Sequence, residues 1–85
     1  MTLKMKVKVM EETILKSFGN HFKKIRLSQK ISQEELALKA DLDRTYISGI
    51  ERGLRNVSLI NIVKLANALN ISISEIVDFD GELHE

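Results

Sequence analysis

An all-α fold of five short helices is predicted for this chain by three observations. Apolar residues recur at helical spacing from about residue 14 to residue 77. Serine and aspartate stand where helix N-caps are needed. There is no proline, glycine occurs only four times in 85 residues, and strand-like alternation is confined to the first ten positions. The length allows one domain with one modest core, and 44% apolar content argues against disorder throughout.

The N-terminal segment, residues 1–11, is the least determined. "TLKMKVKVM" alternates Leu3, Met5, Val7 and Val9 with Lys4, Lys6 and Lys8, which is the period of a half-buried β-strand. A lone strand is not stable, so it would need a partner such as its copy in a second subunit. The alternative is a frayed tail, or residues ahead of a true start at Met10.

The rest of the chain, residues 12–79, is predicted as the domain proper. Ile14, Leu15, Phe18, Phe22 and Ile25 share a face and place helix 1 at about 12–29. Ser32 with Glu35 three residues on forms a capping box before Leu36, Ala37 and Ala40, so helix 2 spans about 33–40. Asp43 caps helix 3, about 44–52, which Gly53 closes. Ser58 starts helix 4, about 59–69, with Leu59, Ile62, Val63, Leu65, Ala66 and Leu69 facing a core. Ser72 or Ser74 opens a last turn or two, about 74–78, and residues 80–85 form an acidic tail. Helices 2 and 3, separated by three residues, make a tight αα corner.

Charge and composition exclude several functions. The net charge of +1 hides eight Lys/Arg against two Glu in residues 1–30, and five acids with no Lys/Arg in residues 75–85. A basic front and an acidic tail suggest one surface that welcomes a polyanion and one that repels it; the alternative is a pair of solvated termini. Without cysteine there are no disulfides or thiolate metal sites, in keeping with a reducing cytoplasm. No apolar run approaches the roughly 20 residues of a membrane span, and no secretory signal is visible. His21 and His84 are isolated, "DFDG" lacks the glutamate that would complete a calcium loop, and no serine, histidine and acid are spaced for nucleophilic catalysis. No cofactor, metal, small-molecule ligand or enzymatic activity is expected.

Helix 3 carries the chemistry. At about 100° per residue, Arg44, Thr45, Ser48, Gly49 and Arg52 fall within an arc of about 140°, with Tyr46, Ile47 and Ile50 opposite and Glu51 at the edge. One face anchors the helix and the other presents hydrogen-bond donors with a gap at Gly49. Taken alone, such a face is also what an ordinary solvated helix presents. A mid-helix glycine costs about 1 kcal/mol against alanine, which close approach of a partner or tight packing against helix 2 would explain.

Together, "FGNHFKKIR", "ISQEELALKADLDRTYISGIERG" and "RNVSLINIVKLANALNI" resemble the helix-turn-helix of the phage repressor and Cro family, from about Phe18 to Val77. Within it, "LDRTYISGIERGLRN" is most similar to the controller proteins of restriction-modification systems and related small solitary regulators. The resemblance implies a lambda-repressor-like domain that binds double-stranded DNA as a homodimer on a two-fold operator. It places the base readers at Arg44, Thr45, Ser48 and Gly49, although Gly49 has no side chain to offer. Gln33 would clamp a phosphate, and Tyr46, Arg52, Arg55 and Asn56 would reach the backbone or flank the groove. Glu51 would pair with Arg26 to brace helix 3 against helix 1. Asp41 and Lys30 stand where relatives commonly carry glycine, and both turns are expected to survive. Ile60, Val63, Ile73, Val77 and Phe79 are candidates for a dimer interface, unless they complete the core. Such a regulator would repress by occupancy or activate through contact with RNA polymerase. The rival expectation is an antitoxin or adaptor whose main partner is a protein, using the N-terminal segment and the acidic tail.

Overall fold

A computed structural model describes residues 2–80; most of the predicted acidic tail, and His84, lie outside them. Five helices follow in order: α1 Leu3–Ser28, α2 Gln33–Ala40, α3 Arg44–Glu51, α4 Leu59–Ala68 and α5 Ile73–Ile76. Each starts at a side-chain cap, Thr2, Ser32, Asp43, Ser58 and Ser72 accepting from a backbone N–H two or three residues on. At Ser32 the bond is reciprocal, because Glu35 also accepts from the Ser32 N–H.

The helix ends repeat a single device. Lys30, Asp41, Gly53 and Asn70 adopt left-handed φ values of 58°, 55°, 73° and 55°. After three of these residues the next N–H reaches back five positions: Leu42 to Ala37, Leu54 to Gly49 and Ile71 to Ala66. These bonds satisfy carbonyls that the helix end would leave orphaned. Three of the four left-handed positions are filled by residues other than glycine.

The N-terminal strand does not form. Residues 3–11 continue α1 without a break at 11–12, and no strand exists among the described residues. Leu3, Val7, Met10 and Ile14 satisfy the helical period as readily as Leu3, Met5, Val7 and Val9 satisfy the strand period. Lysine, leucine, methionine and glutamate favour helix, Thr2 supplies a cap, and nothing pairs with a strand. With 26 residues, α1 is roughly 39 Å long and sets the 42 Å long axis of the molecule.

The core is built from Phe18 and Phe22 of α1, Leu36, Ala37 and Ala40 of α2, Ile47 and Ile50 of α3, Leu65, Ala66 and Leu69 around α4, and Ile76 of α5. The crossing of α1 and α3 is a backbone contact. A Cβ on Gly19 would stand 2.3 Å from the Ile50 carbonyl oxygen, so only glycine fits there. Gln29 Nε2, just past the end of α1, donates to the Leu69 carbonyl at 2.7 Å and closes α4. Leu59, expected on the core arc, is 75% exposed, and the core-facing stripe of α4 begins only at Ile62.

Candidate nucleic-acid interface

The orientation of α3 is fixed by a buried polar knot as much as by its isoleucines. Arg26 Nε donates to Glu51 Oε2 at 2.6 Å and Nη2 to Oε1 at 2.9 Å, with both residues more than nine-tenths buried. The remaining Nη1 donates to the Ile31 carbonyl at 2.8 Å, just ahead of α2. One guanidinium thus joins α1, the α1–α2 loop and α3. Its hydrogen bonds to Glu51 raise the Arg26 pKa against the opposing effect of burial, so the pair keeps its charge on the arginine side.

Gln33 belongs to the same knot. Its Nε2 donates to Glu51 Oε1 at 3.1 Å, so the amide expected at a phosphate has an internal anion in the free protein. An amide nitrogen carries two hydrogens, and this bond uses one.

On the outer side of α3, Arg44 and Thr45 are exposed just inside the Asp43 cap, whose Oδ1 accepts from the Thr45 N–H at 2.8 Å. Ser48 is half-buried one turn on, and Arg52 caps the helix with Nε 3.4 Å from the Ser48 carbonyl. Tyr46 turns toward α4, where its Oη accepts from Asn61 Nδ2 at 3.1 Å. A phenol that accepts in this way still has its own proton to donate outward.

Gly49 departs from expectation. It is buried, and the atoms nearest its missing side chain belong to Arg55 rather than to α2. Arg55, arriving from the α3–α4 loop, lies across it: a Cβ on Gly49 would stand 2.9 Å from Arg55 Cγ and 3.1 Å from Nε. The same guanidinium sits 5.8 Å from the centre of the Tyr46 ring, a cation–π contact. Position 49 therefore presents Arg55 rather than bare backbone. Asn56 follows, exposed, at the mouth of an apolar groove with Ile14 and Leu15.

The interface candidates divide. Ile60, Ile73 and Val77 are exposed, and Leu59 adds to them. Val63 is half-buried. Phe79 is half-buried with its ring edge-on to Phe18 at 5.6 Å, so it finishes the core as well as bordering the surface. Sequence reasoning missed Gly19, for which only the crossing itself gives a reason, and Asn61, which positions Tyr46. It also missed the Thr2 cap, whose signal, a hydroxyl residue before an unbroken run of helix formers, was available.

Among the described residues no helix is long and apolar enough to cross a membrane, and no group of three or more His, Asp or Glu is placed to hold a metal ion.

Comparison with known proteins agrees with this geometry. A family model described as helix-turn-helix matches residues 22–76. Control protein C.BamHI of Bacillus amyloliquefaciens is 54% identical over 63 residues, covering 73% of this chain and 78% of that protein. The crystal structure of the restriction-modification controller protein C.AhdI from Aeromonas hydrophila superposes with a TM-score of 0.72 at 50% identity, covering 73% of this chain and 94% of that one. The wild-type restriction-modification controller protein C.Esp1396I superposes with a TM-score of 0.66 at 44% identity, covering 69% and 77%. Variants of C.Esp1396I with an arginine, a threonine or a tyrosine replaced, at three consecutive positions, have also been crystallised. The fold, the corner of α2 and α3 and these likenesses lead to one conclusion: the chain belongs to the helix-turn-helix family of DNA-binding transcriptional regulators, and within that family it is similar to the restriction-modification controller proteins.

Proposed function

We propose that this protein is a controller-like regulator of transcription that acts in the cytoplasm as a homodimer on a two-fold DNA operator. The observation that carries this is the division of α3 into two faces: Ile47, Ile50 and Glu51 are locked into the domain, while Arg44, Thr45 and Ser48 face outward beside Arg52 and Arg55. A helix about 10–12 Å across fits a major groove about 12 Å wide, whose floor offers acceptors on guanine and adenine and the thymine methyl. Arg44 forks onto guanine, Thr45 offers a hydroxyl or a methyl, and Ser48 reads from the next turn. Arg44-Thr45-Tyr46 is the one Arg-Thr-Tyr run in this chain, and the C.Esp1396I variants alter the same three residue types in succession.

Tyr46, Arg52, Arg55 and Asn56 hold the phosphates on either side. Gln33 joins them with the amide hydrogen that Glu51 leaves over. Register then comes from the backbone contacts and sequence preference from Arg44, Thr45 and Ser48. Few side chains read bases, so the operator is also discriminated by its shape.

One domain covers a half-site, and Ile60, Ile73 and Val77, with Leu59 and the edge of Val63, form the self-complementary face that pairs two of them. Repression by occupancy and activation through RNA polymerase are both open to such a dimer.

The deciding experiment is selection of bound duplexes from a random DNA library at near-physiological salt. A two-fold motif with half-sites one helical turn apart, about 34 Å, is the expected result. Salt-sensitive binding without an enriched motif would sink the proposal and favour a protein-binding module in its place.

A further inference from the structure

The first turns of α1 are the least explained part of the molecule. Residues 3–12 are all exposed, and Leu3, Val7 and Met10 are 78%, 45% and 43% accessible. A free helical stretch of this length is marginal in water, so an apolar surface on it points to a cover.

The arrangement of that surface says which cover. Leu3, Val7, Met10 and Ile14 follow one another at steps of four, three and four residues and lie within an arc of about 60°. This is the seam of a two-stranded coiled coil. The β-branched Val7 and Ile14 take the positions such pairs prefer for β-branched residues, and Leu3 and Met10 alternate with them. Lys6 immediately precedes Val7 and Glu11 immediately follows Met10, so they flank the seam five residues apart. Two parallel copies in register bring Lys6 of each beside Glu11 of the other. Met5 and Val9, on the far side of the helix, are interrupted by Glu12 and Lys16 and form no comparable stripe.

The seam also runs into the domain. At Ile14 it meets a groove lined by Leu15, Phe18, Ile62, Val77 and Phe79. Val77 lies on the face assigned above to the dimer, so one occupant covers both.

We infer that this occupant is a second copy of the chain: the N-terminal turns of α1 pair in parallel along Leu3, Val7, Met10 and Ile14, extending the dimer contact of α4 and α5. Two heptads are too short to hold two free chains together, so the inference rests on the dimeric reading and adds strength and register to it. Lys8 remains on the outer side of the pair, while Lys4 flanks the seam one heptad before Glu11.

The test is sedimentation of the full-length chain over a wide concentration range. Val7→Lys with Met10→Lys is expected to weaken self-association by on the order of tenfold or more, through reduced apolar burial and added like charge. Both residues are exposed in the single chain, so melting of the dilute monomer should not change. Lys6→Glu and Glu11→Lys are each expected to weaken association by about three- to tenfold, and the double charge swap to restore it. An association curve unmoved by Val7→Lys with Met10→Lys would overturn the inference, as would a charge swap no tighter than its single changes. Ile60→Lys separates the two claims. If it abolishes the dimer while the α1 variants do nothing, the α4–α5 dimer stands and the α1 pairing falls. A wild-type chain that stays monomeric throughout overturns both.

Discussion

The Glu51 carboxylate is shared among three elements: it receives two hydrogen bonds from Arg26 and one from Gln33. Removing one partner of a buried pair strands the other, so Arg26→Ala should cost about 3–5 kcal/mol in urea unfolding. A paired change to apolar residues of similar volume should cost far less. Because folding raises the arginine pKa, the stability the pair contributes on that side is complete at ordinary pH and disappears only in strong alkali. Two glycines give a second contrast. A methyl on Gly19 meets the backbone of α3 and should destabilise by about 2–4 kcal/mol, since neither helix can yield. A methyl on Gly49 meets only the exposed Arg55 side chain, so Gly49→Ala should stay within about 1 kcal/mol. On DNA, Arg44→Ala should reduce discrimination at one base position by roughly 1–3 kcal/mol, while Gln33→Ala weakens all sequences alike. Equal losses across sequences for both would contradict their assigned roles.

Among the elements, the helix ends are where the sequence is least optimal. Asp41 and Lys30 occupy left-handed positions that glycine adopts without strain. Asp41→Gly and Lys30→Gly should each raise stability by roughly 0.5–1 kcal/mol in thermal unfolding, and a decrease would mean that their side chains matter more than their backbones. The caps made α2, α3 and α4 legible: Ser32, Asp43 and Ser58 mark their starts, and apolar periodicity gives their extent to within a residue. The start of α1 was not legible, because alternating lysines and apolar residues fit periods of 2 and 3.6 equally over nine positions. Only the unbroken continuation into residues 12–28, with no turn residue between, decides for helix. Leu59 was misplaced for a related reason, since a helical wheel carries no information about where neighbouring helices stop. In the interface, the outward set on α3 followed from its period, whereas Gly49 beneath Arg55 and Tyr46 against Asn61 depend on segments that meet only after folding.

At the scale of the whole molecule, a net charge of +1 gives little general attraction to DNA, so affinity must come from where the charges sit. Arg44, Arg52 and Arg55 are all exposed, on α3 and in the loop that follows it. Affinity should fall steeply with salt, and Arg52→Ala should flatten the log–log slope by about 0.9 for each phosphate left without its cation. A slope unchanged by that substitution, measured by titration at several salt concentrations, would remove Arg52 from the residues that hold the backbone. Dimerisation sets the other dependence. If Ile60 lies at the two-fold axis, Ile60→Lys should leave each domain folded but convert steep occupancy of a full operator into weak, gradual binding of half-sites.

The placement of Arg55 over Gly49 bears on how such a regulator can adjust its hold on DNA. At the middle of α3, the side chain that covers Gly49 is lent by the following loop. A loop tolerates exchange more freely than a helix wedged against α1 through Gly19 and Glu51. On the proposed reading, grip on the backbone and register can therefore be retuned through residues 54–57 with the base-reading face of α3 untouched, which separates adjustment of affinity from the maintenance of the fold.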